Sequence, residues 1–236
     1  MGKTFAIVTS AVLVVVMLGG IVALVTKSYA MPAITGDKAG IASTSGANGT
    51  GERVSFYGDS YTLGTGASSP AKRWSTIVSK ERNWNEFNPS VNGLGFVNNR
   101  SDFGEGDEPS EIIASKPDIV FITMGLNDNF SYDFAANEIK SQITNDFARL
   151  KKALPDARFI VVEPFWYTDD RPDSVEAISN WVKDAASGID ADYIPGASRW
   201  IQGHPEWMAA DGLHPNDDGY AAMAMQMDAA LTTLGL

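Results

Sequence analysis

The stretch Pro117-Asp-Ile-Val-Phe-Ile-Thr-Met124, closed by Gly125, constrains the fold more than any other part of the chain. It is a nearly continuous apolar run. A strand buried on both faces reads this way, and such strands belong to parallel sheets covered by helices. Arg158-Phe-Ile-Val-Val162 repeats the pattern and ends at Glu163-Pro164, and Arg53-Val-Ser-Phe-Tyr57 is a shorter strand that stops at Gly58. Between the strands, 73–83 and 173–187 suit helices. Phe134, Ile139, Ile143, Phe147 and Leu150 give 134–153 helical spacing. A short strand near Tyr193 and a last helix over 217–234 complete the alternation, and there is no internal repeat. Strands separated by helices predict a single three-layer α/β/α domain over 52–236, with a parallel sheet of about five strands. Ligands of such sheets bind beyond the carboxyl ends of the strands. Functional residues are therefore expected from Gly58, Gly125 and Glu163 onward.

The first thirty residues are a separate object. Phe5 to Val25 contains no charged residue, with Lys3 before it and Lys27 after it. That length spans a bilayer as a helix and exceeds the usual apolar region of a signal peptide. Ser28-Tyr29-Ala30 nevertheless puts small residues where a signal peptidase reads. Residues 1–30 are thus expected to be a cleaved signal peptide or an uncleaved membrane anchor. Either one sends the remainder to the outside, as a secreted protein or on the extracellular face of the membrane. Residues 31–51, rich in Gly, Ala, Ser and Thr, read as a flexible linker.

Composition narrows the function classes. The net charge of −11 repels phosphate backbones, so no nucleic-acid partner is expected. The chain has no cysteine, which removes disulfides, thiol nucleophiles and cysteine zinc sites. With only His204 and His214 present, and no metal-ligand spacing, neither a metal nor another cofactor is expected. The membrane is a partner only through residues 5–25, if these are retained. The oligomeric state is open.

Three short motifs stand where the strands end: Gly58-Asp59-Ser60, Gly125-Leu126-Asn127-Asp128 and Asp211-Gly212-Leu213-His214. A serine hydroxyl needs a base before it attacks, and an imidazole steadied by a carboxylate is the usual one. Asp three residues before His lets the carboxylate reach one ring nitrogen while the other faces the serine. Each motif alone also reads as turn or cap chemistry. Their order, and the placing of the first two directly after strands, favours an active site. His204, which has Ile201 at the corresponding position, reads as a surface or packing histidine.

With these motifs the chain resembles the SGNH hydrolases, also called the GDSL esterase/lipase family, over about residues 52–236. Asn88-Pro-Ser-Val-Asn-Gly93-Leu-Gly95 supplies the family's remaining glycine, with Gly93 in position and Gly95 as the fallback. The departure is Tyr61-Thr62 after the serine, where Leu or Ile is commoner; this touches packing. The resemblance implies a flavodoxin-like fold and a serine ester hydrolase. Ser60 is then the nucleophile, His214 the base and Asp211 its orienting acid. The Ser60 and Gly93 N–H groups and the Asn127 amide form the oxyanion hole, and Asp59 and Asp128 are structural. The Gly-x-Ser-x-Gly elbow of other lipases is absent. The implied substrates are carboxylic esters of small molecules or polysaccharides, short-chain acyl or O-acetyl groups among them. The alternative is a noncatalytic, surface-displayed carbohydrate-binding module on the same scaffold. Trp166, Tyr167, Trp200 and Trp207 line an acyl or sugar pocket or pack loops against the sheet.

Overall fold

The computed structural model describes residues 46–236. Residues 1–30, read as signal or anchor, and most of the 31–51 linker lie outside them. Five parallel strands form one sheet: β1 (Arg53–Tyr57), β2 (Asn85–Phe87), β3 (Ile119–Ile122), β4 (Arg158–Val162) and β5 (Asp192–Ile194). Their spatial order is β2-β1-β3-β4-β5, the flavodoxin-like arrangement. The α/β reading holds. The chain leaves β1 toward one edge and returns past it to β3, so the order reverses between β1 and β3, the point at which sheets of this kind bind their ligands.

The helices are α1 (Ser60–Leu63), α2 (Trp74–Glu81), α3 (Glu108–Ser115), α4 (Tyr132–Ala153), α5 (Asp173–Gly188) and α6 (Asp217–Thr233). Alternate strand residues point to opposite faces, and the two faces build two cores. Val54, Phe56, Ile119, Phe121, Ile160 and Val162 pack with Trp74 and Val78 of α2 and Met223, Met227 and Leu231 of α6. Tyr57, Val120, Ile122, Phe159 and Val161 pack with Ile139, Ile143 and Phe147 of α4 and Ile178 and Val182 of α5. Among the described residues no helix is long and apolar enough to cross a membrane.

Two details depart from the sequence reading. Phe134, counted with the apolar stripe of 134–153, is 81% exposed. The buried face of α4 runs instead through Ala135, Ile139, Ile143, Asp146, Phe147 and Leu150. Within the stretch read as linker, residues 47–49 bond to residues 84–86. Asn48 bridges Asn85, Gly49 N–H donates to the Trp84 carbonyl at 3.0 Å, and Ala47 N–H donates to Glu86 Oε2 at 3.0 Å. Glu86 is the reason. Buried on β2, its carboxylate also accepts from Arg73 Nη2 (3.0 Å), Ser75 Oγ (2.9 Å) and Thr76 Oγ1 (2.7 Å). A buried ion pair is tolerable only when its remaining lone pairs are satisfied, and the backbone at Ala47 completes the set.

Candidate active site

Ser60 opens α1 at the end of β1. Asp59 caps the helix, its Oδ1 accepting the Tyr61 N–H at 3.0 Å. Gly58 has no room for a side chain: a Cβ there would lie 2.6 Å from Thr123 Oγ1 and from Thr62 Cβ. This close approach brings the β1 and β3 ends together, and Thr62 and Thr123 share a 2.6 Å hydroxyl hydrogen bond. Gly64, at φ +91°, ends the turn with its N–H on the Ser60 carbonyl at 2.9 Å.

The loop after β3 carries Asn127 and Asp128. Asp128 is fully buried, and its carboxylate accepts the N–H groups of Phe96 (2.7 Å), Val97 (2.8 Å) and Asn98 (3.2 Å). It thereby fixes the 93–98 loop against the sheet. The same packing explains Gly95, where a Cβ would stand 2.6 Å from the Asp128 carboxyl. Asn127 Nδ2 donates to the Leu94 carbonyl at 2.8 Å and makes a longer 3.4 Å contact with Asp59 Oδ2. Gly95 N–H is committed to the Asn98 carbonyl at 2.8 Å, whereas the Gly93 N–H has no partner among the described residues.

His214 lies on the loop before α6. Its Nδ1 is 2.7 Å from Asp211 Oδ2, and Asp211 Oδ1 accepts the backbone N–H groups of Leu213 (2.9 Å) and His214 (3.0 Å). Although partial burial opposes charge on Asp211, these hydrogen bonds, the His214 imidazole first among them, hold its pKa below the ordinary carboxylate value. A Met208–Pro215 bridge closes the loop, and Asn216 caps α6 through the N–H groups of Asp218 and Gly219.

The serine turn and the histidine loop meet through Tyr61. Its hydroxyl donates to the Leu213 carbonyl at 2.6 Å, and its ring centroid is 6.0 Å from that of His214. Tyr220 of α6 adds a second tie, donating to the Thr65 carbonyl at 2.7 Å. Ser60 Oγ and His214 share no hydrogen bond here; such contacts are often loose without substrate. The sequence assigns Tyr61 to packing. Its ring does stack on Phe165, at 5.8 Å between centroids, but its hydroxyl does what a Leu or Ile cannot. No signal in the sequence pointed to that bond.

Among the aromatics, Trp166 is buried and anchored by its Nε1, which donates to Thr168 Oγ1 (2.9 Å) and the Asp170 carbonyl (2.8 Å). Tyr167, Trp200 and Trp207 are partly buried against the first core. All four serve packing. His204 stacks on Trp207 at 3.6 Å between centroids, away from the three motifs in its bonding.

Buried acids gather behind the serine. Burial lifts the Asp59 pKa to about 7, against the pull of the Tyr61 N–H, and the Asp128 charge adds to the rise. Burial lifts Asp128 to about 6.

Known proteins resemble this chain in sequence and in fold. A GDSL lipase of Mycobacterium tuberculosis is 27% identical over 180 residues, 72% of this chain and 78% of its own length. The psychrotrophic esterase EstA from Pseudoalteromonas superposes with a TM-score of 0.61 at 14% identity, covering 78% of this chain and 98% of its own. An acetylxylan esterase from Geobacillus stearothermophilus gives 0.58 at 19% identity, covering 78% and 96%. The GDSL-like lipase/acylhydrolase family model matches residues 56–222, a span that takes in the serine turn, the Asn127 loop and His214. By that match and by its fold, the chain belongs to the GDSL-like lipase/acylhydrolase family of ester-bond hydrolases.

Proposed function

We propose that the chain is an exported serine esterase that removes short-chain acyl or O-acetyl groups, including groups carried on carbohydrate. The observation that carries this reading is the docking of the histidine loop on the serine turn. The Asp211–His214 pair, 2.7 Å apart, sits on a loop whose Leu213 carbonyl is held by the residue next to Ser60. His214 Nε2 takes the Ser60 proton as Oγ attacks the ester carbonyl. It returns that proton to the departing alcohol, leaving an acyl-serine. A water then attacks with the same base, and its proton comes back to Ser60 as the acid leaves. Asp211 keeps the imidazole in the required tautomer.

The oxyanion is received by the N–H groups of Ser60 and Gly93 and by the Asn127 amide. The uncommitted Gly93 N–H supports the choice of Gly93 over Gly95, whose N–H is already bonded. The Asn127 amide is fixed through Leu94, and its contact to Asp59 is long enough to yield to a stronger acceptor. The apolar segment 5–25 supports export. The likeness to an acetylxylan esterase, which is one of fold, is compatible with an acetylated glycan as substrate.

The test is a panel of p-nitrophenyl acetate and acetylated glycans, with fluorophosphonate labelling of the wild type and Ser60→Ala. The wild type is expected to turn over and be labelled, and Ser60→Ala to do neither. Equal turnover by Ser60→Ala overturns the mechanism. Export is tested by N-terminal sequencing: a species starting at Met31 indicates cleavage, and an intact one in membranes indicates an anchor.

A further inference from the structure

We propose that Glu108 is a positioning residue for the nucleophile turn, acting as a neutral, buried carboxylic acid that holds the Gly58 backbone from behind. The proposal rests on the esterase reading above. Glu108 opens α3, whose N-cap is Asp107, and is 1% exposed. Its Oε1 accepts the Gly58 N–H at 2.9 Å. That hydrogen bond enters the chain two residues before Ser60, at the glycine whose tight approach to Thr123 and Thr62 fixes the turn. Nothing in the serine mechanism uses Glu108.

The chemistry around Glu108 selects its uncharged form. Its other oxygen, Oε2, is buried without a hydrogen-bond partner, and so is the nearby Ser90 Oγ. An ionised carboxylate in that place has the Gly58 N–H and at best the neutral Ser90 hydroxyl as donors, which is costly for a fully buried charge. A protonated Oε2 can instead donate toward Ser90 Oγ. The charged groups that face it do not rescue the ionised form. Asp59, on the turn, is an acid and repels it. Tyr57 of β1 is buried and donates its hydroxyl to Asp146 (2.7 Å). Arg100 lies close enough to attract, but its guanidinium is engaged by Asp146 (2.6 and 2.9 Å) and Asp107 (2.9 Å). Burial accordingly raises the Glu108 pKa well above the usual carboxylate range. A neutral acid here keeps the acceptor for Gly58 and adds no second charge beside Asp59, whose own ionisation would work against the developing oxyanion.

The test uses the purified full chain with p-nitrophenyl acetate. Glu108→Gln keeps the acceptor and places a donor toward Ser90, so its kcat is expected to stay within about threefold of wild type. Glu108→Leu removes the acceptor, and its kcat is expected to fall about 30-fold with KM changed less than threefold. The wild type is expected to lose kcat more steeply on the alkaline side than Glu108→Gln, which keeps Asp59 but no longer has a second acid to ionise beside it. Gly58 amide exchange is expected to be slow in the wild type and Glu108→Gln and fast in Glu108→Leu. A folded Glu108→Leu with wild-type kcat overturns the proposal. So does a Glu108→Gln as impaired as Glu108→Leu, or one whose pH profile superimposes on the wild type. If Glu108→Leu does not fold, the Glu108→Gln profile decides. Unchanged Gly58 exchange in Glu108→Leu overturns the proposal whether or not an ester is cleaved. A wild type with neither turnover nor Ser60 labelling overturns the esterase reading itself, and the positioning role falls with it.

Discussion

Asp59 and Asp211 are the same residue type, each beside one half of the proposed dyad, and their environments push them in opposite directions. Asp59 is buried behind the serine turn with other acids near it, and its pKa rises to about 7. Asp211 is on a surface loop, its side chain 48% exposed, and its bonds to the imidazole and the loop backbone draw its pKa down. The serine half is therefore a rigid, dry platform assembled from strand ends. The histidine half is a self-contained loop that carries its own carboxylate and is laid onto that platform. One half depends on burial and the other on partners, so they break differently.

The largest effect is expected from breaking the loop. His214→Ala should lower kcat about 1000-fold or more with little change in melting temperature, because the loop's backbone bonds survive. An equal loss of stability would show that the loop is not self-contained. The platform should behave the opposite way. Asp128→Ala leaves three backbone N–H groups at 96–98 without their acceptor and should cost about 3 kcal/mol of stability in denaturant unfolding. Activity should fall too, since the Gly93 loop loosens.

The junction comes next. Tyr61→Phe deletes only the hydroxyl that holds the Leu213 carbonyl, and should reduce kcat about tenfold with KM nearly unchanged. Wild-type kinetics would mean that the two halves register without it. The smallest effect is on thermal stability against pH. Asp59 and Asp128 have folded-state pKa values of about 7 and about 6, above their unfolded values near 3.8. Their contribution is complete below about pH 4 and is lost as pH rises through 6 and 7. Asp211, with a lowered value, contributes above about pH 4 and loses its share below it. Melting temperature should therefore rise by about 5 °C from pH 8 to pH 5. A melting temperature that drops toward pH 5 would place the buried acids as ionised partners instead.

The alternation that announced the fold came from residues whose pattern is set by burial alone. β1, β4 and the helix at 134–153 appear close to where their apolar spacing put them. β2 is three residues, Asn-Glu-Phe, with two poor strand formers; only its pairing with β1 makes it a strand. α3 escapes the alternation of apolar runs although Asp107 and Pro109 mark a helix start, and Glu108 escapes with it. Phe134 obeyed the helical spacing and still points to solvent, because the stripe facing the sheet begins at Ala135. The three motifs were legible because each follows a strand end or forms a compact turn. What joins them was not legible, since a hydroxyl reaching a carbonyl 152 positions away leaves no local trace.

That long reach has a consequence for synthesis. The Tyr61–Leu213 contact joins the start of the domain to a loop 152 positions further on, which is synthesised after all five strands of the sheet. A nascent chain can assemble β1, β3 and β4 and bury much of its sheet, yet it stays without a docked histidine until α6 is released. A chain cut between β5 and Leu213 therefore retains all five strand segments but lacks both the histidine loop and the α6 residues that fill the first core.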